Sequence, residues 1–184
     1  MEIQDMTIKG IEKLFADGPV TPDLLAACRE DSRAAVGRIV RRWERQQAER
    51  QRVEALYTYE YQARDRGASL VAGVDEAGRG PLAGPVSVAA VILPMGLFLP
   101  KINDSKKLSA KVRDELYEEI LAKAVAVQHV FVDEKTIDRI NIYQATINGM
   151  YDAVFALDPQ PQQVLIDAVH LDRLPMPSLS MIKG

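Results

Sequence analysis

Two short apolar runs, rich in β-branched residues, flank a segment of glycines and prolines. The first run is SLVAGVDE (69–76) and the second is VSVAAVIL (86–93), with GRGPLAGP between them. Runs of this length and composition are typical of β-strands, and Gly and Pro mark the turn that joins them. We therefore expect two adjacent strands paired as a hairpin, and this part of the chain must form a β-sheet.

Helical and strand patterns alternate after this hairpin. Ser109 caps a predicted helix from about 110 to 124, and the run VAVQHVFV (125–132) follows as a strand. A second helix is predicted over 137–157, before the apolar strand QVLIDA (163–168). Strands that alternate with helices form a sheet with helices packed on it. The predicted fold class is α/β.

The region before the hairpin has a different character. Residues 1–68 are predicted to be helical, with Thr21 as an N-cap, Pro22 at the first helical position and Gly67 as a stop. We expect this region to be a helical extension and residues 69–184 to be the α/β domain.

A basic face marks the helical extension. Between Arg33 and Arg66 there are nine arginines and five acids. One interpretation is a solvated helix face with i,i+4 ion pairs, the second is an arm that contacts nucleic acid, and the third is a protein interaction module. Trp43 is interpreted as a helix-packing residue.

Composition excludes several classes of protein. The net charge of −3 argues against a general polyanion binder, so nucleic-acid contact would need a local basic patch. The single cysteine excludes an internal disulfide, and MEIQDMTIKG lacks the pattern of a signal peptide. No apolar stretch is long enough for a membrane span. We expect a cytoplasmic protein that is not bound to a membrane.

Carboxylates end two of the apolar runs. Asp75 and Glu76 follow Val74, and Asp167 follows Ile166. A carboxylate in an apolar strand is unfavourable unless it is paired, hydrogen-bonded or bound to a metal. Neighbouring strands that carry such acids can converge them on a hard cation such as Mg²⁺. For Asp167 a purely structural, hydrogen-bonded role stays open.

Glycines and basic residues follow the carboxylates. In Gly78-Arg79-Gly80 the glycines allow the backbone to approach a ligand closely, and Arg79 could meet a phosphate or a sugar edge. A cluster of cations with one acid nearby, Asp104, is interpreted either as a phosphate-contacting patch or as solvated surface. Its members are Lys101, Lys106, Lys107, Lys111 and Arg113. His129, inside a predicted strand, is interpreted as a core residue.

Four segments together resemble a known family. They are GVDEAGRGPLAGPVSVAAVIL, NDSKKLSAKVRDELYEEI, INIYQATINGMYDAV and VLIDAVHL. They are similar to the signature of ribonuclease HII, the prokaryotic type 2 ribonuclease H, and the resemblance covers residues 70–184. The DEAGRG sequence favours this family over ribonuclease HIII. The implied fold is a ribonuclease H-like mixed sheet flanked by helices.

The resemblance also implies an activity. Members cleave the RNA strand of RNA/DNA hybrids and nick 5′ of single ribonucleotides in duplex DNA, by two-metal hydrolysis with Mg²⁺ or Mn²⁺. Asp75, Glu76 and Asp167 match three of the family's four metal-binding acids. Gly78, Arg79 and Gly80 match the motif that reads the ribose 2′-hydroxyl, and Lys106 and Lys107 align with its DSKKLS segment.

The chain departs from the family pattern at its end. Gly184 takes the place of the glycine that precedes the fourth metal-binding aspartate, and the C-terminal helices would follow it. The expectation from sequence is therefore a truncated member with impaired hydrolysis, and the alternative function is a fragment that binds hybrids without cutting them. We expect a monomer, with association possible through surface that the missing helices would cover.

Overall fold

The computed structural model describes residues 3–80, 84–167 and 169–181. The chain divides into two compact units, Met1–Ala55 and Leu56–Gly184, each with its own internal contacts. The domain boundary predicted after residue 68 stays a prediction. No helix in the described ranges is long and apolar enough to cross a membrane.

The first unit is helical, as the sequence predicted. The Thr7 hydroxyl accepts a hydrogen bond from the Gly10 N–H and begins the first helix, and Thr21 caps the second by accepting from the Leu24 N–H at 3.2 Å. The third helix ends at the boundary between the units. The helices are α1 (Ile8–Asp17), α2 (Pro22–Glu30) and α3 (Ala34–Leu56).

A small apolar core joins these three helices. Its fully buried members come from all three, so the helices pack as one unit. Burial raises the pKa of the Cys28 thiol, which makes this cysteine a packing residue rather than a reactive one. Trp43 packs edge-on against Phe15 with ring centroids 6.1 Å apart. The buried residues are Ile11, Cys28, Val36, Ile39 and Val40.

Arg33 connects the start of the chain to the turn before α3. Its guanidinium donates to the Asp31 carboxylate and also to the backbone carbonyls of Met6 and Ile3, at 2.7 and 2.8 Å. The hydrogen bonds from Arg33 hold the pKa of Asp31 below its usual range. The ionised Asp31 carboxylate therefore fixes the arginine that holds the N-terminal segment in place.

Asp31→Asn is expected to lower the melting temperature of the first unit at neutral pH. The pKa of Asp31 is lowered in the folded state. Its contribution to the free energy of unfolding is therefore present above the ordinary carboxyl pKa, about 4, and is lost as the pH falls through the folded-state pKa. The deficit of the variant should therefore shrink in acid. Trp43 is the only tryptophan and lies in this unit, so its fluorescence follows the unfolding.

Asp17→Asn serves as the matched control for this experiment. Asp17 is exposed at the end of α1, and within the described ranges its carboxylate forms no ion pair or hydrogen bond. It should melt like the wild type at neutral pH. A deficit for Asp31→Asn that is the same at pH 7 and in acid would contradict the ionic role of Asp31.

The second unit begins with one more helix, and strands and helices then follow along the chain. The helices of this unit are α4 (Thr58–Asp65), α5 (Ala110–Lys123), α6 (Glu134–Ile140) and α7 (Ile142–Phe155). The strands are β1 (Val71–Ala77), β2 (Val86–Ile92), β3 (Ala126–Val132), β4 (Gln163–Asp167) and β5 (Ser178–Met181).

The five described strands form one mixed sheet in the order β3-β2-β1-β4-β5. Strands β1 and β2 pair antiparallel, with Asp75 opposite Ala89, which confirms the predicted hairpin. Strand β4 lies on the other side of β1 and runs parallel to it. The predicted α/β class with a helical N-terminal extension is confirmed.

Helix α7 covers one face of this sheet. Alternate residues of the central strands point to it and are fully buried, including Val74, Val88 and Ile166. A Cβ at Gly149 of α7 would lie 2.9 Å from Val132 Cγ2 and 3.1 Å from Val88 Cγ2. The lack of a side chain at Gly149 therefore allows the helix to approach β2 and β3 this closely.

The opposite face of the sheet is only partly covered. Ala63 of α4 packs there with Val71 and Leu165, near the beginning of β1. Along the same strand the burial alternates, and Gly73 and Asp75 on this face are exposed. The carboxyl end of β1 is thus open to solvent on the face away from α7.

The structure differs from three expectations. The helix predicted over 137–157 is broken at Asn141, whose φ of 70° ends α6 and whose side chain caps α7. Strand β5 had no counterpart in the sequence analysis. His129 is exposed rather than in the core, and its Nε2 lies 2.7 Å from the Ser87 hydroxyl, because its side chain points to the open face.

Candidate active site at the ends of β1 and β4

Strands β1 and β4 bring two acids to one end of the sheet. The parallel register pairs Val74 with Ile166, so Asp75 and Asp167 follow at equivalent positions. Val74 and Ile166 point into the core beneath α7, and the alternation of side chains places both aspartates on the open face. Two acids from distant parts of the chain are therefore neighbours on adjacent strands.

The surroundings of the Asp75 carboxyl raise its pKa. Partial burial of the carboxylate is the main cause, and the nearby negative charges of Glu76 and Asp167 add to it. The Glu76 N–H, 2.7 Å from Asp75 Oδ1, and the Lys106 ammonium act in the opposite direction. Accumulated negative charge of this kind is what a cation would relieve.

Glu76 is turned towards Arg79 rather than towards the two aspartates. Its Oε1 accepts a hydrogen bond from Arg79 Nη1 at 3.0 Å, and its side chain is largely buried. Within the described ranges, no three side chains of His, Cys, Asp or Glu converge closely enough to hold a metal ion. The structure thus brings Asp75 and Asp167 together and holds Glu76 beside them in an ion pair.

The two glycines of the Gly78-Arg79-Gly80 motif after β1 have different environments. Gly78 has a φ of 100°, and a Cβ there would lie 2.7 Å from the Pro85 carbonyl oxygen, at the start of β2. Gly80 has no neighbour among the described residues within 4 Å of where a Cβ would lie. Gly78 is therefore required by the fold of the turn, whereas Gly80 is exposed backbone that a ligand could approach.

A lysine-bearing loop lies beside the carboxylates. Asp104 accepts a hydrogen bond from the Lys106 N–H at 2.9 Å and caps a short 3₁₀ helix, Ser105–Lys107. The Arg113 guanidinium donates to the Leu108 carbonyl at 2.7 Å and so ties this loop to α5. Because Lys106 lowers the pKa of Asp75, its ammonium acts within the electrostatic range of the acids.

The rest of the basic cluster has acidic or backbone partners. Lys101 and Lys111 both lie near Glu115, at 3.4 and 4.0 Å, and Arg113 holds the loop. Asp104 is the one nearby acid predicted from the sequence, and Glu115 was missed, although its spacing from Lys111 is the i,i+4 spacing of a helical ion pair. Lys106 and Lys107 are exposed, and neither forms a side-chain ion pair within the described ranges.

The third acid, Asp167, is half-buried at the last position of β4. Two residues after Asp167, the Val169 carbonyl accepts a hydrogen bond of 2.6 Å from the Ser180 hydroxyl. The same hydroxyl lies 2.9 Å from His170 Nδ1. The neighbouring turn is thus held by hydrogen bonds that leave the Asp167 carboxylate out. Gly184, the position at which a departure from the family pattern is expected from the sequence, lies outside the described residues.

Comparisons with known proteins agree with this arrangement. A ribonuclease HII from Enterococcus faecalis is 46% identical, with 94% of this chain and 69% of that protein covered. A ribonuclease HII from Bacillus cereus is 42% identical, with 99% of this chain and 72% of that protein covered.

A solved structure supports the fold alone. The ribonuclease H2 of Pyrococcus horikoshii superposes with a TM-score of 0.52 at 23% identity, covering 62% of this chain and 63% of that one. The ribonuclease H-like fold expected from the sequence is thereby confirmed.

Family profiles match almost the whole chain. The profile described as Ribonuclease HII matches residues 72–183, and the one described as Ribonuclease HII N-terminal domain matches residues 7–64. The acids at the edge of the sheet and nearly all residues of its strands and of the helices before it lie within these ranges. The chain therefore belongs to the ribonuclease HII family, a family of ribonucleases, as its sequence motifs predicted.

Proposed function

We propose that this chain is an endonuclease that cleaves the RNA strand of RNA/DNA hybrids and nicks 5′ of single ribonucleotides in duplex DNA. The observation that carries the proposal is the placement of Asp75 and Asp167 on one face at the ends of adjacent parallel strands. Membership in the family supplies the reaction class. The single cysteine, Cys28, is buried and reduced, which is consistent with action in the cytoplasm.

The acids fit a hard divalent cation, Mg²⁺ or Mn²⁺. Carboxylate oxygens are the preferred ligands of such ions. Burial is the main cause of the raised pKa of Asp75, and the negative charges of Glu76 and Asp167, which add to it, are charges that a cation would neutralise. Asp75 and Asp167 would hold the ion, and Glu76 would join them by releasing Arg79. When bound, a pair of ions activates water and stabilises the leaving oxygen of a phosphodiester.

The glycine turn and the lysine loop would hold the substrate. At Gly78 and Gly80 the backbone N–H and C=O groups can reach a ribose 2′-hydroxyl without a side chain between them. Arg79, Lys106 and Lys107 supply positive charge for the phosphates on either side. The chain would thus recognise one ribonucleotide through backbone contacts and position the strand through its charges.

A second candidate function is binding of hybrids without cleavage. It is favoured by the ion pair between Glu76 and Arg79, which leaves two acids rather than three facing the open end of the sheet. In this case the turn and the lysines would still dock nucleic acid. A site with fewer carboxylates binds a cation less tightly and positions water less well.

Cleavage of three labelled duplexes distinguishes the candidates. The duplexes are an RNA/DNA hybrid, a DNA duplex with one ribonucleotide and an all-DNA duplex of the same sequence, each with Mg²⁺, Mn²⁺ or EDTA. The nuclease should cut the first two, nick the second 5′ of the ribonucleotide, spare the third and stop in EDTA. Binding of the first two in a gel shift, with no cutting under any condition, would establish the non-cleaving alternative.

A further inference from the structure

Three side chains form a polar and aromatic cluster on the open face of the sheet. His129 Nε2 lies 2.7 Å from the Ser87 hydroxyl, and the imidazole meets the Phe131 ring edge-on, with ring centroids 4.3 Å apart. Ser87 belongs to β2, and the other two residues belong to β3. We call Ser87, His129 and Phe131 the histidine cluster. It contains none of the residues to which the proposed function assigns a role.

The strand register places the histidine cluster beside Asp75. Asp75 of β1 lies directly opposite Ala89 of β2, and Ala89 lies directly opposite His129 of β3. Residues opposite each other in an antiparallel pair point to the same face and have Cα atoms about 5 Å apart. The backbone of His129 therefore lies about 10 Å from that of Asp75, on the same open face.

Small side chains occupy the space between the acids and the histidine cluster. Ala89 separates Asp75 from His129 in one row, and Ala77 of β1 lies opposite Ser87 in the next row. The methyl groups of the two alanines extend little above the backbone. A strand of nucleic acid held at the acids could cross this strip, and about 10 Å corresponds to about three nucleotides at about 3.4 Å of helix rise each.

The hydrogen bond between Ser87 and His129 leaves a donor available in every protonation state. If the neutral imidazole accepts at Nε2, its Nδ1 carries the hydrogen, and if it donates from Nε2, the Ser87 hydroxyl keeps its own hydrogen for another acceptor. The protonated imidazolium leaves both donors and adds a positive charge. Among the described residues neither side chain has a second hydrogen-bond partner. The pair is therefore suited to an anionic acceptor.

Phe131 restrains the imidazole and offers an apolar surface beside it. Its ring is nearly perpendicular to the imidazole, at 85°, so His129 is held by an aromatic contact on one side and by Ser87 on another. The Phe131 side chain is 67% exposed, and a sugar or an unstacked base can pack on an exposed ring of this kind. The histidine cluster thus combines an oriented donor with an aromatic surface.

We propose that the histidine cluster is a subsite for the nucleic-acid strand whose scissile phosphate lies at Asp75 and Asp167. Ser87 and His129 donate hydrogen bonds to a phosphate within about four nucleotides of the cleaved one, and Phe131 packs on the adjoining sugar or base. The inference rests on the proposed function, because the strand must reach the acids. The histidine cluster positions the strand and takes no part in the reaction itself.

A structural role and a metal site explain the histidine cluster less well. The buried core of the sheet lies on the opposite face, under α7, and His129 and Phe131 are exposed. In the part of the chain that the structure describes, no three side chains of His, Cys, Asp or Glu converge closely enough to hold a metal ion. A phosphate, which needs a donor and no further ligand from the protein, suits the arrangement.

The test pairs a substitution in the protein with a neutral phosphate in the duplex. Each duplex contains one ribonucleotide, and one phosphate near it is replaced by methylphosphonate, at a different position in each duplex. Dissociation constants for the full chain and for His129→Ala are measured by fluorescence anisotropy in EDTA. At one position the neutral group should weaken binding to the wild type about tenfold and change binding to His129→Ala by less than about twofold, since the contact is already lost.

Two further variants separate contact from charge and from folding. Lys135→Ala removes an exposed cation from α6, which follows β3, and should weaken binding to every duplex by the same factor. His129→Gln keeps an N–H donor and should bind within a few fold of the wild type. In single-turnover cleavage with Mg²⁺, His129→Ala should need about tenfold more enzyme for half-maximal rate, with a maximal rate within about twofold of the wild type.

The outcomes separate the subsite from the proposed cleavage. If the wild type cuts, but methylphosphonates weaken its binding and that of His129→Ala equally at every position, the subsite is overturned and the nuclease stands. A position-specific difference in a chain that binds without cutting would support the subsite and contradict cleavage. A wild type that binds none of the duplexes would overturn both.

Discussion

Asp75→Asn is expected to lower the rate of RNA-strand cleavage about a thousandfold, which corresponds to ~4 kcal/mol in activation free energy. Asp75 is the residue whose charge is coupled to both Glu76 and Asp167, so its removal takes away the centre of the anionic site. The measurement is single-turnover cleavage of a duplex with one ribonucleotide, at saturating Mg²⁺ or Mn²⁺.

Asp138→Asn is a suitable control for this experiment. Asp138 is an exposed acid on α6, and its replacement removes the same charge from the same unit. It should cleave at the wild-type rate. Equal rates for Asp75→Asn and the wild type would exclude Asp75 from the reaction and, with it, the proposed site.

The same variant should not lose stability in the absence of divalent ions. The folded-state pKa of Asp75 is raised, so its unfavourable effect on folding is present above that pKa and disappears below about pH 4. Asparagine removes this effect, and the variant should melt at or above the wild-type temperature at neutral pH. A marked fall in its melting temperature would mean that lost activity reflects lost structure.

Gly78→Ala is expected to be the most damaging single substitution in the turn. The positive φ alone disfavours a side chain by roughly 1–2 kcal/mol, and the new Cβ would meet the Pro85 carbonyl oxygen, a backbone atom that cannot move aside by itself. Either the turn or the start of β2 must shift. We expect a fall of several degrees in melting temperature and a strong loss of cleavage.

Gly80→Ala tests the same turn without the strain. In the part of the chain that the structure describes, no atom lies within 4 Å of the added Cβ, so the melting temperature should stay at the wild-type value. If substrate approaches the backbone at Gly80, cleavage should still fall, through weaker substrate binding measured as a raised KM. Equal stability for Gly78→Ala and the wild type would show that the turn does not need glycine at this position.

Much of the fold followed from local patterns in the sequence. The hairpin was signalled by β-branched runs around Gly and Pro, and the helix after Ser109 by its cap and periodicity; both are present at nearly the predicted positions. Thr21 and Pro22 likewise begin α2. Each of these signals lies within a few consecutive residues, so it can be recognised from the sequence alone.

The errors in the fold arose where tertiary structure decided the outcome. Asn141 lies between two isoleucines inside a continuous helical pattern, and only its positive φ separates α6 from α7. The signal available in the sequence is that asparagine is a favoured N-cap residue, and its side chain accepts a hydrogen bond from the Gln144 N–H. Strand β5 is short and polar, and it forms because β4 offers a parallel edge. His129 was misplaced because a strand pattern does not show which face is covered.

The site was predicted in part. The sequence indicated that Asp75 and Asp167 end apolar strands, but the parallel pairing that makes them neighbours is a property of the sheet. The ion pair of Glu76 with Arg79 and the role of Arg113 in holding the lysine loop depend on side-chain geometry. The assignments of Asp75, Glu76, Asp167, Gly78, Arg79, Gly80, Lys106 and Lys107 stay predictions.

The parallel pairing of β1 with β4 also bears on the order of folding. The chain forms β2, α5, β3, α6 and α7 between these two strands, whereas β1 and β2 are joined by a local turn. Contacts closed by a short loop form before those closed by a long one. The mutual repulsion of Asp75 and Asp167 therefore arises only when β4 docks, after the hairpin and its covering helix have gained the apolar burial that outweighs it.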